Sequence, residues 1–177
     1  MKLISEESIF LLKHWSVVEK LKVSIETLEK EIINKLSNMG KELQDKDWWN
    51  PDLSCHQGKQ YIYFDNKKWE DSIQIGIEDF CSSSLLGSTD YQTYCYLWVT
   101  GPKRDVISSA LTKILEKDKY FDEYYCSGHS YILKKPIKKY TELDYEEFIK
   151  DDSFVEYVEF LEKVYLTIKS FEIPSDS

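Results

Sequence analysis

No stretch of about 18 consecutive apolar residues occurs in the chain, so the sequence offers no membrane-spanning helix. Met1-Lys2-Leu3-Ile4, followed by Ser5-Glu6-Glu7, lacks the apolar core of an export signal, and a cytoplasmic location is expected. Cysteine is sparse. Cys55, Cys81, Cys95 and Cys126 follow no disulfide-like rhythm and are expected to be reduced. Positive charge is in deficit, with 23 Lys and Arg against 32 acids, a net −9. That balance argues against direct nucleic-acid binding through the phosphate backbone. No phosphate loop, dinucleotide fingerprint, G-x-S-x-G or H-E-x-x-H is present, so no reaction is named and no cofactor is expected.

What remains is globular. A length of 177 residues fits one domain, and 42% hydrophobic with 31% charged residues can build a core. Aromatic residues make up 15% of the chain, with 13 Tyr and 5 Trp. Tyr and Trp combine apolar area with a polar handle, which suits a binding surface as well as a sheet. The acids are lopsided: from Glu142 to Ser177 eleven stand against three lysines. A basic cluster, Lys134-Lys135-Pro136-Ile137-Lys138-Lys139, precedes them and is read as neutralising its acidic neighbours.

Hydrophobic periodicity predicts the elements. Leu11, Val18, Ile25, Ile32 and Met39 recur at seven-residue intervals, with Leu21, Leu28 and Leu36 beside them, predicting one long helix over 1–40 that stops at Gly40. Residues 45–60 read as a loop. Gln60-Tyr61-Ile62-Tyr63-Phe64 reads as a strand, Asp65 to Lys68 as a hairpin turn, and Trp69 to Ile77 as the returning strand. Thr93–Thr100 carries Tyr94, Tyr96 and Trp98 on one face and Cys95, Leu97 and Val99 on the other, as a central strand does. A helix over 103–118 and a short strand from Ser130 follow, and 144–171 reads as an acidic C-terminal helix that can pair with the first. The expected fold is a single α+β domain over 1–177. Residues 60–135 supply an approximately four-stranded, mostly antiparallel sheet covered by helices, in the order α-β-β-β-α-β-α.

Each candidate site has a plainer alternative. Pro51-Asp52 with Asp65-Asn66-Lys67 spells the PD…(D/E)xK pattern of metal-dependent nucleases, in which two acids hold a divalent ion and the Lys assists. Asp65 and Lys67 fall in an expected turn, however, which favours turn chemistry over catalysis. Cys55, His56, Cys126 and His129 could ligate zinc, but adjacent Cys-His is poor ligand geometry and no metal is expected. Cys126 and His129 as nucleophile and base lack an orienting third group. Trp48-Trp49 either plug a sheet–helix junction or anchor a partner. Glu156, Glu159 and Glu162 on the acidic helix either face solvent or mimic nucleic-acid phosphates.

From about Glu29 to Phe171, the order of Leu28-Glu29-Lys30-Glu31-Ile32-Ile33, Tyr61-Ile62-Tyr63-Phe64, Lys68-Trp69 and Ile75-Gly76-Ile77-Glu78 carries a resemblance. It is similar to the C-terminal accessory domain of some PD-(D/E)xK nuclease-superfamily proteins of bacteria and prophages. In those proteins the nuclease motifs precede this region, so the resemblance implies an accessory part and transfers no site residue. It implies a subunit or accessory factor of a prophage or defence-associated nuclease system. The sequence as a whole therefore points to a non-enzymatic interaction domain with a protein partner, binding through Trp48, Trp49 and the acids Glu156, Glu159 and Glu162. The alternatives are a nuclease using Asp52, Asp65 and Lys67, or an acidic inhibitor of a nucleic-acid enzyme. Self-association through the N-terminal helix is left open.

Overall fold

A computed structural model describes residues 5–86, 90–126, 130–141, 145–148, 150 and 154–174. The apolar seven-residue pattern produces helices α1 (Glu6–Lys13) and α2 (Trp15–Gln44), with Ser5 capping α1 through its Ser8 amide bond. The expected single helix is thus broken at His14, whose φ of −113° and ψ of 23° leave the helical region. Nor does Gly40 stop it. A Cβ there would come within 2.2 Å of Ile62 Cδ1, so glycine lets the helix lie flush on the sheet.

Strands β1 (Leu53–Gln57), β2 (Ile62–Asn66), β3 (Ile73–Glu78), β4 (Tyr94–Val99) and β5 (Tyr131–Pro136) form one antiparallel sheet in the order β1-β2-β3-β4-β5. There are five strands where about four were expected. The extra one, β1, lies in the segment read as loop; it is a polar edge strand in which only Leu53 is buried, and so lacks the alternation that betrays strands. Strand β4 lies between β3 and β5, an inner strand as its two apolar faces indicated.

The turn after β2 also differs from expectation. Asp65 and Asn66 belong to the strand, and the bend is a 3-10 turn, Lys67–Trp69, capped by the Asn66 side chain and followed by Glu70 and Asp71 at positive φ. Trp69 does not open β3; fully buried, it donates its indole N–H to the Phe171 carbonyl at 3.3 Å.

Helix α3 (Ser82–Leu85) precedes β4, and α4 (Arg104–Leu115) precedes β5. The acidic C-terminal segment is two helices, α5 (Tyr145–Phe148) and α6 (Val155–Ile168), in place of the single one expected over 144–171. Helices α2, α4 and α6 pack on the sheet and on one another. Ile73, Ile75 and Ile77 of β3 and Cys95, Leu97 and Val99 of β4 face them in one continuous core. The α+β class and the pairing of N- and C-terminal helices are as expected, and among the described residues no helix is long and apolar enough to cross a membrane.

Candidate interaction face

Alternation that sends Ile73, Ile75 and Ile77 into the core sends Gln74, Gly76 and Glu78 to the opposite side of β3. The register then sets Tyr63 of β2 and Tyr96 of β4 on either side of Gly76, Trp98 beside Gln74 and Tyr94 beside Glu78. His56 pairs with Tyr63 from β1, and Lys134 with Tyr96 from β5. The ring contacts on this side are among residues of the sheet itself. His56 stacks on Tyr63 at 4.7 Å, Tyr61 lies 6.0 Å from Tyr63, and Tyr96 meets Tyr131 edge-on at 5.8 Å. Tyr96 is 6% exposed yet stands outside the helix-packed core, and Tyr61 is 45% exposed.

Gly76 is required here. A Cβ would lie 2.3 Å from the Ile62 carbonyl oxygen and 2.5 Å from Tyr63 Cβ, so any side chain would force β2 and β3 apart. The two flanking tyrosines therefore stand roughly 10 Å apart, two strand spacings, with no side chain between them. This gap opens into a depression of about 320 Å³ lined by Gln60, Tyr61, Tyr63, Gln74, Glu78, Asp79 and Tyr96. A larger depression, about 600 Å³, lies along α4 and is lined by Asp105, Val106, Ser109, Ala110 and Lys113, which offer no converging chemistry.

The electrostatic centre of the face is Glu78. Tyr131 donates its hydroxyl to Glu78 Oε2 at 2.7 Å, and Lys134 Nζ sits 3.1 Å from Oε1. The same ammonium lies 3.8 Å from the Tyr131 ring centroid and 4.6 Å from that of Tyr94. Burial, reinforced by Glu78, holds the Tyr96 and Tyr131 hydroxyls well above the ordinary tyrosine range. Burial also raises the Tyr63 hydroxyl, with Asp65, Tyr61 and Asp71 adding to it.

The nuclease triad does not assemble as an unengaged set. Asp65 lies within β2 opposite Ser54, buried, with His56 Nε2 3.2 Å from its Oδ2. Burial raises its carboxyl above the usual range and His56 opposes that shift. Lys67 donates its ammonium to the Pro51 carbonyl at 2.8 Å, while Asp52 is exposed. Among the described residues no three His, Cys, Asp or Glu side chains are grouped to hold a metal ion. Cys55 and Cys126 are half-buried, with thiols raised by burial, and His129 lies outside the described residues.

Trp48 and Trp49 pack into the helix–sheet junction: Trp48 lies 4.7 Å from Tyr165 and 5.8 Å from Phe64, and Trp49 5.6 Å from Phe64. On α6, Glu156 pairs with Lys135 at 3.5 Å and Glu162 with Lys46 at 3.7 Å, while Glu159 is exposed. Two lysines of the basic cluster serve the neighbouring acids as read, Lys135 reaching Glu156 and Lys138 reaching Glu147 at 2.6 Å, while Lys134 crosses to Glu78 of β3. Tyr94, Tyr96 and Trp98 lie on the open face, which the sequence marks only as one apolar side of a central strand. Tyr61, Tyr63, Gly76, Glu78 and Tyr131 join it through cross-strand register and carry no local motif. Comparison with protein-family models, with curated proteins and with solved structures finds no match.

Proposed function

We propose that the chain is a non-enzymatic macromolecular-interaction domain that takes a protein partner on the aromatic face of its sheet. The observation that carries this reading is the set of tyrosines around Gly76, from the exposed Tyr61 through the half-buried Tyr63 and Tyr131 to the buried Tyr96, whose ring contacts are to one another and to His56. Tyr and Trp are enriched where interfaces are apolar at the centre and wet at the rim. A net charge of −9 opposes a polyanionic ligand. Glu156 and Glu162 already have lysine partners, and Trp48 and Trp49 are committed to the junction, which favours the sheet face over the surfaces first suggested by sequence. The accessory-domain resemblance belongs with this reading and supplies a setting, a subunit or accessory factor of a prophage or defence-associated nuclease system.

Affinity capture from cells that natively make the chain tests it, comparing the wild type with a Tyr61→Ser/Tyr63→Ser variant shown by circular dichroism to be folded. A specific binder held by the wild type and lost by the variant is expected. Capture indifferent to the variant contradicts the reading. So does Mg²⁺- or Mn²⁺-dependent cleavage of DNA or RNA that Asp65→Ala abolishes.

A further inference from the structure

We infer that the depression over Gly76 receives a lysine or arginine side chain presented by a basic segment of the partner; this rests on the sheet face being the protein-binding surface. Aromatic faces attract cations, most strongly where water is partly excluded. Three rings, Tyr61, Tyr63 and Tyr96, line the depression together with the carboxylates of Glu78 and Asp79. Asp65 of β2 and Asp71 of the bend before β3 add negative charge near Tyr63, so the acids around the site outnumber Lys134 and the His56 already paired to Asp65.

The other half of the face shows the same chemistry satisfied from within. There Lys134 sits over Tyr131 and Tyr94 and against Glu78. Among the described residues no lysine or arginine lies over Tyr61, Tyr63 or Tyr96, although the ingredients are alike. The Tyr96 hydroxyl is the second pointer. Its side chain is 6% exposed and lines the depression, and its oxygen is not among the buried polar atoms left without a partner, so it faces the open space there. A guanidinium or ammonium donor entering the depression would bond that oxygen in place of water. The volume, about 320 Å³, falls at the small end of the roughly 300–1,000 Å³ of drug-sized ligand pockets, and suits one side chain.

Nitrogen-15 NMR titration with methylguanidinium and with ethylammonium tests this, at about 0.15 M salt to screen loose surface attraction. Phenol and an oligothymidylate serve as competing probes. Expected are shifts confined to Tyr61, Tyr63, Gln74, Gly76, Glu78 and Tyr96 on adding either cation. Binding should weaken roughly tenfold in Tyr63→Ala and in Glu78→Gln, with the remaining spectrum unchanged to show that both stay folded. If the same amides answer phenol or the oligonucleotide but not the cations, the cation assignment falls while the face survives as a binding surface. Shifts spread over the acids of α6, or no shifts at all, also overturn it.

A separate observation concerns the N-terminal arm. On α2 one apolar stripe runs through Val18, Leu21, Ile25, Leu28, Ile32 and Leu36, but burial begins only at Ile32. Nine of the fifteen exposed large apolar side chains among the described residues fall between Ile9 and Ile25, at 40–62% exposure. These side chains wrap the arm, and of those on α2 Val17, Leu21 and Ile25 share one side, continuing the seam that Ile32 and Leu36 bury within the chain.

We propose that a second copy of the chain covers this arm, arm on arm and antiparallel. Arm on arm, the Val17, Leu21 and Ile25 side of each copy covers that of the other, as a heptad seam does between paired helices. Residues 5–30 hold five acids and four lysines, so the arm is near neutrality while the whole chain is at −9, and like-charge repulsion does not oppose self-pairing there. An antiparallel pairing sets the two bodies, which occupy the stripe from Ile32 onward, at opposite ends of the paired arms. Sedimentation should show a dimer for the wild type and a monomer for Leu21→Glu/Ile25→Glu, with unchanged far-ultraviolet dichroism. A photo-crosslinker at Phe10 should reach the region around Leu28 of the partner subunit. A monomeric wild type, or crosslinks to Phe10 of the partner subunit instead, overturns the proposal.

Discussion

The two faces of the sheet are made by the same strands and differ in nearly everything else. On β3, Ile73, Ile75 and Ile77 are fully buried under helices, whereas Gln74 and Glu78 on the other side are half-buried among tyrosines. The first face spends its side chains on closing a core. The second keeps polar handles, a glycine gap and unequal charge within reach of solvent. The difference teaches where stability and recognition are separated in this fold, and it can be broken by substitution at neighbouring positions of a single strand.

The largest effect belongs to the covered face. Ile75→Ala removes a side chain with no exposure, and a loss of about 2–5 kcal/mol in denaturant unfolding is expected. Gly76→Ala comes next, because its new methyl group meets backbone atoms that must move; about 1–3 kcal/mol is expected, together with closure of the depression. Tyr63→Ala, one strand away on the open face, should cost at most about 1 kcal/mol while abolishing partner capture. A Tyr63→Ala loss as large as that of Ile75→Ala would make the open face a second core instead.

Asp65→Asn is the smallest and carries a sign. The folded carboxyl titrates above the ordinary carboxylate range because burial disfavours its charge, the paired His56 notwithstanding. The stability it contributes is therefore fully present below the unfolded pKa and lost as pH rises through the raised folded value. The asparagine variant should melt slightly higher than the wild type at neutral pH, and the gap should vanish in acid where Asp65 is protonated in both states. A nuclease that depends on Asp65 would instead lose activity with this change.

The class of fold, the helix on helix pairing and the two-faced character of β4 were legible because each rests on a period of 3.6 or 2 written in apolar residues. β1 was not, since Ser54, His56 and Gln57 present no alternation, and its place at the edge is set by pairing with β2. The bend after β2 was misplaced by two residues because Asp65-Asn66-Lys67-Lys68 has turn composition, yet Asp65 is held in the strand by Ser54 across it and His56 beside it. The candidate site was legible only as an aromatic excess, since Tyr94, Tyr96 and Trp98 read as one apolar face of a central strand and nothing local marked that face as open. The rest was hidden, because no local signal connects Tyr63 to Glu78 or Tyr131 until five strands are in register.

Photo-crosslinking inside cells that natively make the chain tests the central claim most directly, with an aryl azide at Tyr61 on the open face and, separately, at Leu166 on the exposed side of α6. If the sheet face is the recognition surface, a discrete protein adduct should form from position 61 and not from position 166. An adduct from position 166 alone, or equal adducts from both, would contradict it.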